Sequence, residues 1–159
     1  MTAAVTTAAP SAHPTQLSEL EANLRNEINL VRRENGLRPL LGSKALAGAA
    51  ESYSRTMLRD GFFSHVSPNG VGFAQRIRQR YSPNGFRRWA VGENLLSSSG
   101  PISAKQVVAL WMASPAHRAN LLSPTFRQMG IGAVHQVAAP GVFGGKSALV
   151  VTLDLGTRR

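Results

Sequence analysis

The spacing of apolar residues changes along this chain, and no other feature of the sequence restricts the fold as much. Up to about residue 113, apolar residues recur mainly at the three- and four-residue steps of amphipathic helices. The two clearest strand patterns, at residues 129–134 and 147–153, come only near the end. Because helices come first and strands last without regular alternation, the sequence predicts an α+β domain with helices packed on a small, mainly antiparallel sheet.

Capping and turn residues delimit the predicted helices. Gly61 follows an apolar stripe at a position where glycine commonly ends a helix. Ser103, with Gln106 three residues later, has the spacing of a capping box, and Pro115 stands where a first helical turn accepts proline. A short strand is predicted at residues 89–95. The predicted helices span residues 17–35, 43–60, 72–81 and 103–113, and a further helical turn begins at Ser114.

Length and composition favour one domain. The chain has 159 residues, which is enough for a sizeable core but short for two domains. Residues 1–16 are rich in Thr, Ala and Pro and lack the pattern of an intact signal peptide, so we expect a disordered leader before a single domain over residues 17–159. No apolar run approaches the roughly 18 residues that cross a bilayer. Cysteine is absent, which excludes disulfides and thiol chemistry.

The chain is strongly basic. Eighteen Lys and Arg residues against eight Asp and Glu residues give a formal net charge of +10. Such a charge attracts polyanions, including nucleic acid, anionic lipid headgroups and acidic polymers of a cell envelope. The basic clusters are short, and no nucleic-acid-binding module is recognisable. We therefore expect an anionic envelope surface as a partner rather than nucleic acid.

Two histidines and one glutamate stand in compact polar motifs within a stretch that is poor in acids. From residue 61 onward, the only carboxylates are those of Glu93 and Asp154. Glu93 lies between His65 and His117 in the sequence. Imidazole and carboxylate groups are common zinc ligands and common general acids and bases, so His65, Glu93 and His117 are the candidate site residues.

Four motifs in a fixed order carry a family resemblance. They are Phe62-Phe63-Ser64-His65 with Ser67-Pro68-Asn69-Gly70, Val91-Gly92-Glu93-Asn94-Leu95, Trp111-Met112 with Ser114-Pro115-Ala116-His117-Arg118-Ala119-Asn120-Leu121-Leu122, and Met129-Gly130-Ile131-Gly132. With these motifs, the chain resembles the bacterial branch of the CAP superfamily, also called the SCP domain, which includes cysteine-rich secretory, antigen 5 and pathogenesis-related 1 proteins. The resemblance covers roughly residues 24–157.

The resemblance implies a fold and a site. The family fold is a three-layer α-β-α sandwich, in agreement with the α+β pattern. Its central cleft gathers two histidines and acidic side chains, which places His65, Glu93 and His117 together. Many eukaryotic members add a second glutamate from the helix near the motif tryptophan, but the helix predicted at residues 103–113 contains no acid. The expected set of cleft residues is therefore incomplete in this chain.

Two interpretations of the three candidate residues stay open at the level of sequence. His65 and His117 are expected to bind a divalent cation, with zinc favoured, while Glu93 either ligates the ion or accepts a hydrogen bond that fixes the tautomer of one ring. The alternative is a metal-free polar network in which a buried, charge-paired Glu93 ties three segments of the chain together.

Polar and aromatic neighbours in the same motifs are given structural roles. Asn94 and Asn120 are expected to cap or bridge backbone groups. Three large aromatic side chains are expected to anchor the core: Phe62, Phe63 and Trp111.

Three functions are compatible with these features. The first is a secreted binding or effector domain without turnover, which holds a divalent metal and a small lipid, sterol-like or glycan ligand; secretion is implied by the family resemblance. The second is a metal-dependent hydrolase of an extracellular substrate, with Glu93 as the base that activates water. A single carboxylate cannot both ligate the metal and act freely as base, so enzymatic activity is less favoured. The third is a scaffold or adhesion module tethered by the leader.

Overall fold

Five helices and four strands follow one another along residues 14–159, the part of the chain that the computed structural model describes. The helices are α1 (Pro14–Glu34), α2 (Lys44–Asp60), α3 (Phe73–Arg80), α4 (Ala104–Ala113) and α5 (Pro115–Leu121). The strands are β1 (Leu41–Gly42), β2 (Trp89–Ser98), β3 (Gln128–Ala139) and β4 (Lys146–Arg158), with a 3-10 turn at Gly141–Phe143. None of the helices in this described part is long and apolar enough to span a membrane.

The four strands form one sheet in the order β1-β3-β4-β2. Strand β4 pairs antiparallel with both β3 and β2, whereas the two-residue β1 runs parallel to β3. The sheet is thus mainly antiparallel, as predicted. The two strand patterns near the C-terminus form β3 and β4, and the turn between them contains Pro140 and the glycines Gly141, Gly144 and Gly145.

Helices cover both faces of the sheet. On one face, α1, α4 and α5 enclose a core that includes Leu24, Ile28, Trp111 and Leu153, all of which are at most 1% exposed. On the other face, α2 and α3 pack over smaller clusters that contain Met57 and Ile77. The predicted α+β class and the three-layer α-β-α sandwich are confirmed.

Helix α2 approaches the sheet closely because two residues of β3 have no side chain. A Cβ atom at Gly130 would overlap the backbone of Leu46 and Ala47, and one at Gly132 would overlap the backbone at Ala50 and Glu51. Next to Gly132, the Ser54 hydroxyl bonds to the Gly132 carbonyl and to the Thr152 hydroxyl, both at 2.8 Å. The Gly130-Ile131-Gly132 motif therefore fixes how near α2 lies to the sheet.

Side chains close the outer edges of the sheet. The Trp111 indole donates to the Leu95 carbonyl at 3.0 Å, and the Asn120 amide donates to the Glu93 carbonyl at 3.1 Å, so both cap β2. On β3, the Ala133 amide donates to the Glu21 carboxylate at 2.9 Å. Burial raises the pKa of Glu21, while this backbone hydrogen bond opposes the rise.

Several boundaries differ from the expectations. Helix α1 begins at Pro14, three residues before the expected start of the domain, and residues 1–13 of the predicted leader lie outside the described residues. Strand β2 continues to Ser98, and β1 was not predicted. The prediction that Phe63 anchors the core is wrong: it is 38% exposed, because Phe62 occupies the position against Tyr53 and leaves Phe63 on the outer side. Trp111 is a core residue, as predicted.

Candidate functional site

The three candidate residues come from three separate elements and meet beside the edge strand of the sheet. His65 lies in the segment between α2 and α3, Glu93 lies in the middle of β2, and His117 lies in α5. The His65 Nδ1 atom is 2.8 Å from Glu93 Oε1, and the centroids of the two imidazole rings are 6.4 Å apart. Residues that are distant in the sequence are therefore in one cleft.

The segment that carries His65 is held in place on both sides of the histidine. Gly61 ends α2 in the left-handed conformation, with φ of 73°, and its amide donates to the Met57 carbonyl. The Tyr53 hydroxyl donates to the Ser64 carbonyl at 2.6 Å, which fixes the residue before the histidine. After the histidine, a bridge between Val66 and Gly72 closes the turn. The His65 side chain itself remains 45% exposed.

Glu93 is buried in the cleft, with a side chain that is 1% exposed. One carboxylate oxygen pairs with His65 Nδ1, and the other accepts from Arg76 Nη2, each at 2.8 Å. A buried carboxylate needs such partners, because transfer of an unpaired charge from water is strongly unfavourable. Both oxygens of Glu93 are therefore occupied by side chains of the protein.

Arg76 was not among the candidate residues, yet it connects several parts of the cleft. Its Nη1 atom donates to the carbonyls of His65 and Val71, each at 2.9 Å, while Nη2 binds Glu93. Its guanidinium also stacks on the Tyr53 ring, with Cζ 3.2 Å from the ring centroid. The sequence contains only an indirect indication of the role of Arg76. Glu93 is one of two acids in the second half of the chain, and a buried acid requires a cation as its partner.

The His117 side of the cleft is tied to β2 by two amides. Asn94 Nδ2 donates to the His117 carbonyl at 3.1 Å, and Asn120 Nδ2 donates to Asn94 Oδ1 at 2.9 Å. Asn94 and Asn120 thus bridge backbone groups, as predicted. Burial lowers the pKa of His117, and the neighbouring His65 lowers it further. The His117 imidazole is accordingly neutral at pH 7.

Asp154 lies directly across the sheet from Glu93 and was also missed as a site residue. Glu93, Asp154 and Gly130 are register partners on adjacent antiparallel strands, so all three share the face that α2 covers. Asp154 is 1% exposed, and its Oδ1 atom lacks a hydrogen-bond partner in the described part of the chain. Burial raises the pKa of Asp154 well above its usual range, and the charge of Glu93 adds to the rise while Arg76 opposes it. Burial therefore favours the neutral, protonated form of this carboxyl group.

Comparison with known proteins agrees with the fold and the motifs around this cleft. The sequence model of the Cysteine-rich secretory protein family, CAP, matches residues 25–143. The chain belongs to the CAP family. Among bacterial relatives, this CAP protein is 32% identical over 129 residues to the uncharacterized protein YkwD of Bacillus subtilis strain 168. The match covers 81% of the chain but 46% of YkwD, so the chain spans less than half the length of that relative.

Solved structures share the fold of this CAP protein at lower identity. An outer surface protein from Borrelia burgdorferi has a TM-score of 0.67 and 23% identity, covering 89% of this chain and 94% of that one. An extracellular protein containing an SCP domain from Bacillus anthracis has a TM-score of 0.62 and 24% identity, covering 92% and 44% respectively. These neighbours share the fold, while the family match and the relative from Bacillus subtilis place the chain among bacterial CAP proteins.

The CAP cleft offers two imidazole groups as metal ligands but no third protein ligand in the described residues. Within residues 14–159, no group of three His, Cys, Asp or Glu side chains is arranged to hold one. His65 Nδ1 is bound to Glu93, which leaves Nε2 as its free ring nitrogen, and neutral His117 supplies a second imidazole. Two imidazoles on one tetrahedral zinc have ring centroids about 5 Å apart, given a Zn–N distance of about 2.0–2.1 Å. The observed separation of 6.4 Å requires a small approach of the exposed His65 ring.

Proposed function

We propose that this bacterial CAP domain is a secreted, non-catalytic binding domain whose cleft takes a divalent cation and a small lipid-like or envelope ligand. One observation carries the proposal: both oxygens of Glu93 are engaged, one by His65 and one by Arg76. A hydrolase of the kind considered from the sequence needs a free base near the metal-bound water. Because Glu93 is committed to positioning His65, the arrangement supports binding rather than turnover. Secretion is supported by the extracellular protein from Bacillus anthracis that shares the fold.

The proposed ligands of the cation are the imidazoles of His65 and His117, with water completing the shell. Glu93 accepts the Nδ1–H of His65, an arrangement that fixes the tautomer and aims Nε2 outward, as carboxylates commonly do behind metal-binding histidines. Zinc is favoured because imidazole nitrogen suits it. A bound zinc ion would attract an oxygen atom of an anionic or carbonyl-bearing ligand.

Calorimetric titration with zinc tests the metal part of the proposal. We expect saturable binding to the wild-type chain and none to the His65→Ala/His117→Ala double variant. The matched control is His135→Ala, which removes a histidine from β3 outside the cleft and should leave the heats unchanged. Because a protonated imidazole cannot coordinate, wild-type affinity should fall at acidic pH as His117 gains a proton, and its lowered pKa moves this loss below the usual pH range of histidine. Equal heats for the wild type and the double variant would contradict zinc binding in the cleft.

Exposed apolar side chains next to His65 support a lipid-like ligand. Phe63 is 38% exposed and Val66 is 51% exposed, and both lie close to the histidine in the sequence. Their exposed surface offers a contact for an acyl chain or a sterol-like ring system. Displacement of a fluorescent fatty acid should be saturable in the wild type and weakened in Phe63→Ser/Val66→Ser. The control Val137→Ser alters a side chain on β3 that is similarly exposed, at 54%, and should bind normally. Absence of saturable displacement would exclude the lipid-like ligand.

A further inference from the structure

A second cavity, separate from the histidine cleft, lies between α2 and α3. Its volume is about 150 Å³, and neither histidine of the cleft nor Glu93 lines it. Helix α2 contributes Ser52, Tyr53 and Thr56, whose spacing places them on one helical face. Helix α3 contributes Arg76 and Arg80 from its own facing side. The cavity is therefore formed by two helix faces with hydroxyl groups on one side and guanidinium groups on the other.

The lining of this cavity is polar and contains no carboxylate from the described part of the chain. The Ser52 hydroxyl and the Arg80 guanidinium are available to bind oxygen atoms. The Ser67 hydroxyl interacts with Tyr53, and Arg76 already donates to Glu93 and to two backbone carbonyls. The flanking acids of α2 are engaged elsewhere, since Glu51 pairs with Arg55 and Asp60 with Arg59. A lining with cationic donors and without acids selects against cations and favours an anion.

The two arginines contribute differently to the charge of the cavity. The charge of Arg76 is balanced by Glu93 at 2.8 Å, and its guanidinium is immobilised against Tyr53. Arg80, in contrast, makes no ion pair or side-chain hydrogen bond with another residue of the described range 14–159, and its Nη1 atom lies beside Gly48 on α2. The immobilised guanidinium of Arg76 and that of Arg80, which is unpaired among the described residues, thus line the same cavity.

The cavity is large enough for a small polyatomic anion. Its volume of about 150 Å³ is well above the roughly 10–15 Å³ that holds one water molecule. A phosphate group has five non-hydrogen atoms and takes hydrogen bonds from guanidinium and hydroxyl donors in several directions. We propose that the cavity between α2 and α3 binds a phosphate group, with Arg80 supplying the charge and the Ser52 hydroxyl of α2 supplying a further donor.

This proposal goes beyond the zinc and lipid-like ligands of the cleft and does not depend on them. The two sites share Arg76 and Tyr53. Arg76 lines the cavity while it holds Glu93 and the His65 carbonyl, and Tyr53 lines the cavity while its hydroxyl binds the Ser64 carbonyl. Zinc titration of the His65→Ala/His117→Ala variant reports on the cleft, whereas phosphate titration of an Arg80 variant reports on the cavity. Failure of one site is therefore distinguishable from failure of the other.

The test is a titration of the full-length wild-type chain with inorganic phosphate at constant ionic strength, followed by amide chemical shifts and calorimetry. We expect saturable binding with shifts confined to α2 and α3, and a loss of affinity of about tenfold or more in Arg80→Gln. The matched control is Arg78→Gln, which removes the same charge from the same helix at a residue outside the cavity. Ser52→Leu, which fills the cavity without changing the charge, should weaken binding like Arg80→Gln.

Two results would overturn the phosphate site. Equal loss of affinity in Arg78→Gln and Arg80→Gln would show attraction by the general positive charge of the chain. Absence of saturable phosphate binding in the wild type would remove the site altogether. Two further probes, glycerol phosphate and vesicles of phosphatidylglycerol, identify the source of the phosphate group, with phosphatidylcholine vesicles as the control. Binding that depends on Arg80 with glycerol phosphate alone indicates a soluble phosphate compound. The same dependence with phosphatidylglycerol vesicles indicates a lipid headgroup.

Discussion

At the scale of single residues, the cleft of this CAP domain is arranged around one buried carboxylate. Glu93 receives Arg76 on one oxygen and His65 on the other, and Arg76 in turn holds the His65 carbonyl. Removal of any member leaves a buried group without its partner. The polar network considered from the sequence therefore exists in the structure, and it positions the same histidine that the metal hypothesis requires.

Replacing the cation of this network should destabilise the fold strongly. Arg76→Met leaves Glu93 charged, buried and paired with His65 alone, so we expect a loss of about 3–5 kcal/mol in the free energy of unfolding. Glu93→Gln/Arg76→Met removes both charges and should recover part of that loss, which urea denaturation and a double-mutant cycle measure. Additive effects of the two single substitutions would show that the pair is not coupled.

Asp154 should make stability depend on pH. The folded protein keeps a proton that the unfolded chain releases above its ordinary pKa of 3.8. The stability associated with the neutral carboxyl group is thus complete below that pH and is lost as the pH rises toward the higher folded pKa. Asp154→Asn removes the titration, so it should flatten the decline and stabilise the protein near pH 8 by on the order of 1 kcal/mol or more.

Urea unfolding between about pH 4 and pH 8 measures this effect. Asp60→Asn is the control, because Asp60 is exposed and the Arg59 guanidinium lowers the pKa of its carboxyl group. That variant should keep the wild-type dependence on pH in this range. A parallel decline in the wild type and Asp154→Asn would show that another group is responsible.

The sequence identified some of these residues and missed others for a physical reason. Compact motifs, whose order along the chain indicates the family, contain His65, Glu93 and His117. The sequence alone therefore identified these three residues as candidates. Arg76 looked like one member of a basic cluster, and Asp154 looked like an ordinary strand residue. Their roles depend on register and burial, which arise only when β2, β4 and α3 come together.

At the scale of elements, the contact between α2 and the sheet depends on the absence of side chains on β3. Helix α2 was predictable from its apolar stripe and from Gly61, which ends the helix. The structure adds Ser43 as the N-cap, which accepts the Leu46 amide. Strand β1 was not predictable, since it has two residues and exists only through its pairing with β3. The closeness of α2 to β3 likewise needs coordinates, although the Gly-Ile-Gly motif marks the place.

Gly132→Ala should destabilise the protein, because a Cβ atom there meets the backbone of α2 rather than a movable side chain. We expect a loss of about 1–3 kcal/mol or more, as for other overpacked cores. The control Gly48→Ala lies within α2 itself, where a Cβ atom would be an ordinary 3.7 Å from Arg80. Since glycine is unfavourable inside a helix, that control should be neutral or stabilising by about 0.5–1 kcal/mol. Thermal unfolding with equal midpoints for both variants would contradict the packing argument.

At the scale of the whole molecule, the net charge of +10 acts at long range and independently of the two sites. We expect wild-type binding to phosphatidylglycerol vesicles to weaken steeply between about 0.1 and 1 M salt, where the screening length falls from about 10 to 3 Å. Vesicle co-sedimentation measures this dependence, with phosphatidylcholine vesicles as the neutral control. Binding that is insensitive to salt would show that surface charge does not govern the association.

The hydrogen bonds from Trp111 and Asn120 to β2 affect whether the edge of the sheet can pair with a strand of another molecule. A bare strand at the rim of a sheet offers a template on which another polypeptide can add itself, the first step of many fibrils. Here an indole and an amide already occupy the Leu95 and Glu93 carbonyls, and Glu21 occupies the Ala133 amide on the opposite rim. These side chains occupy backbone groups to which an added strand would otherwise pair.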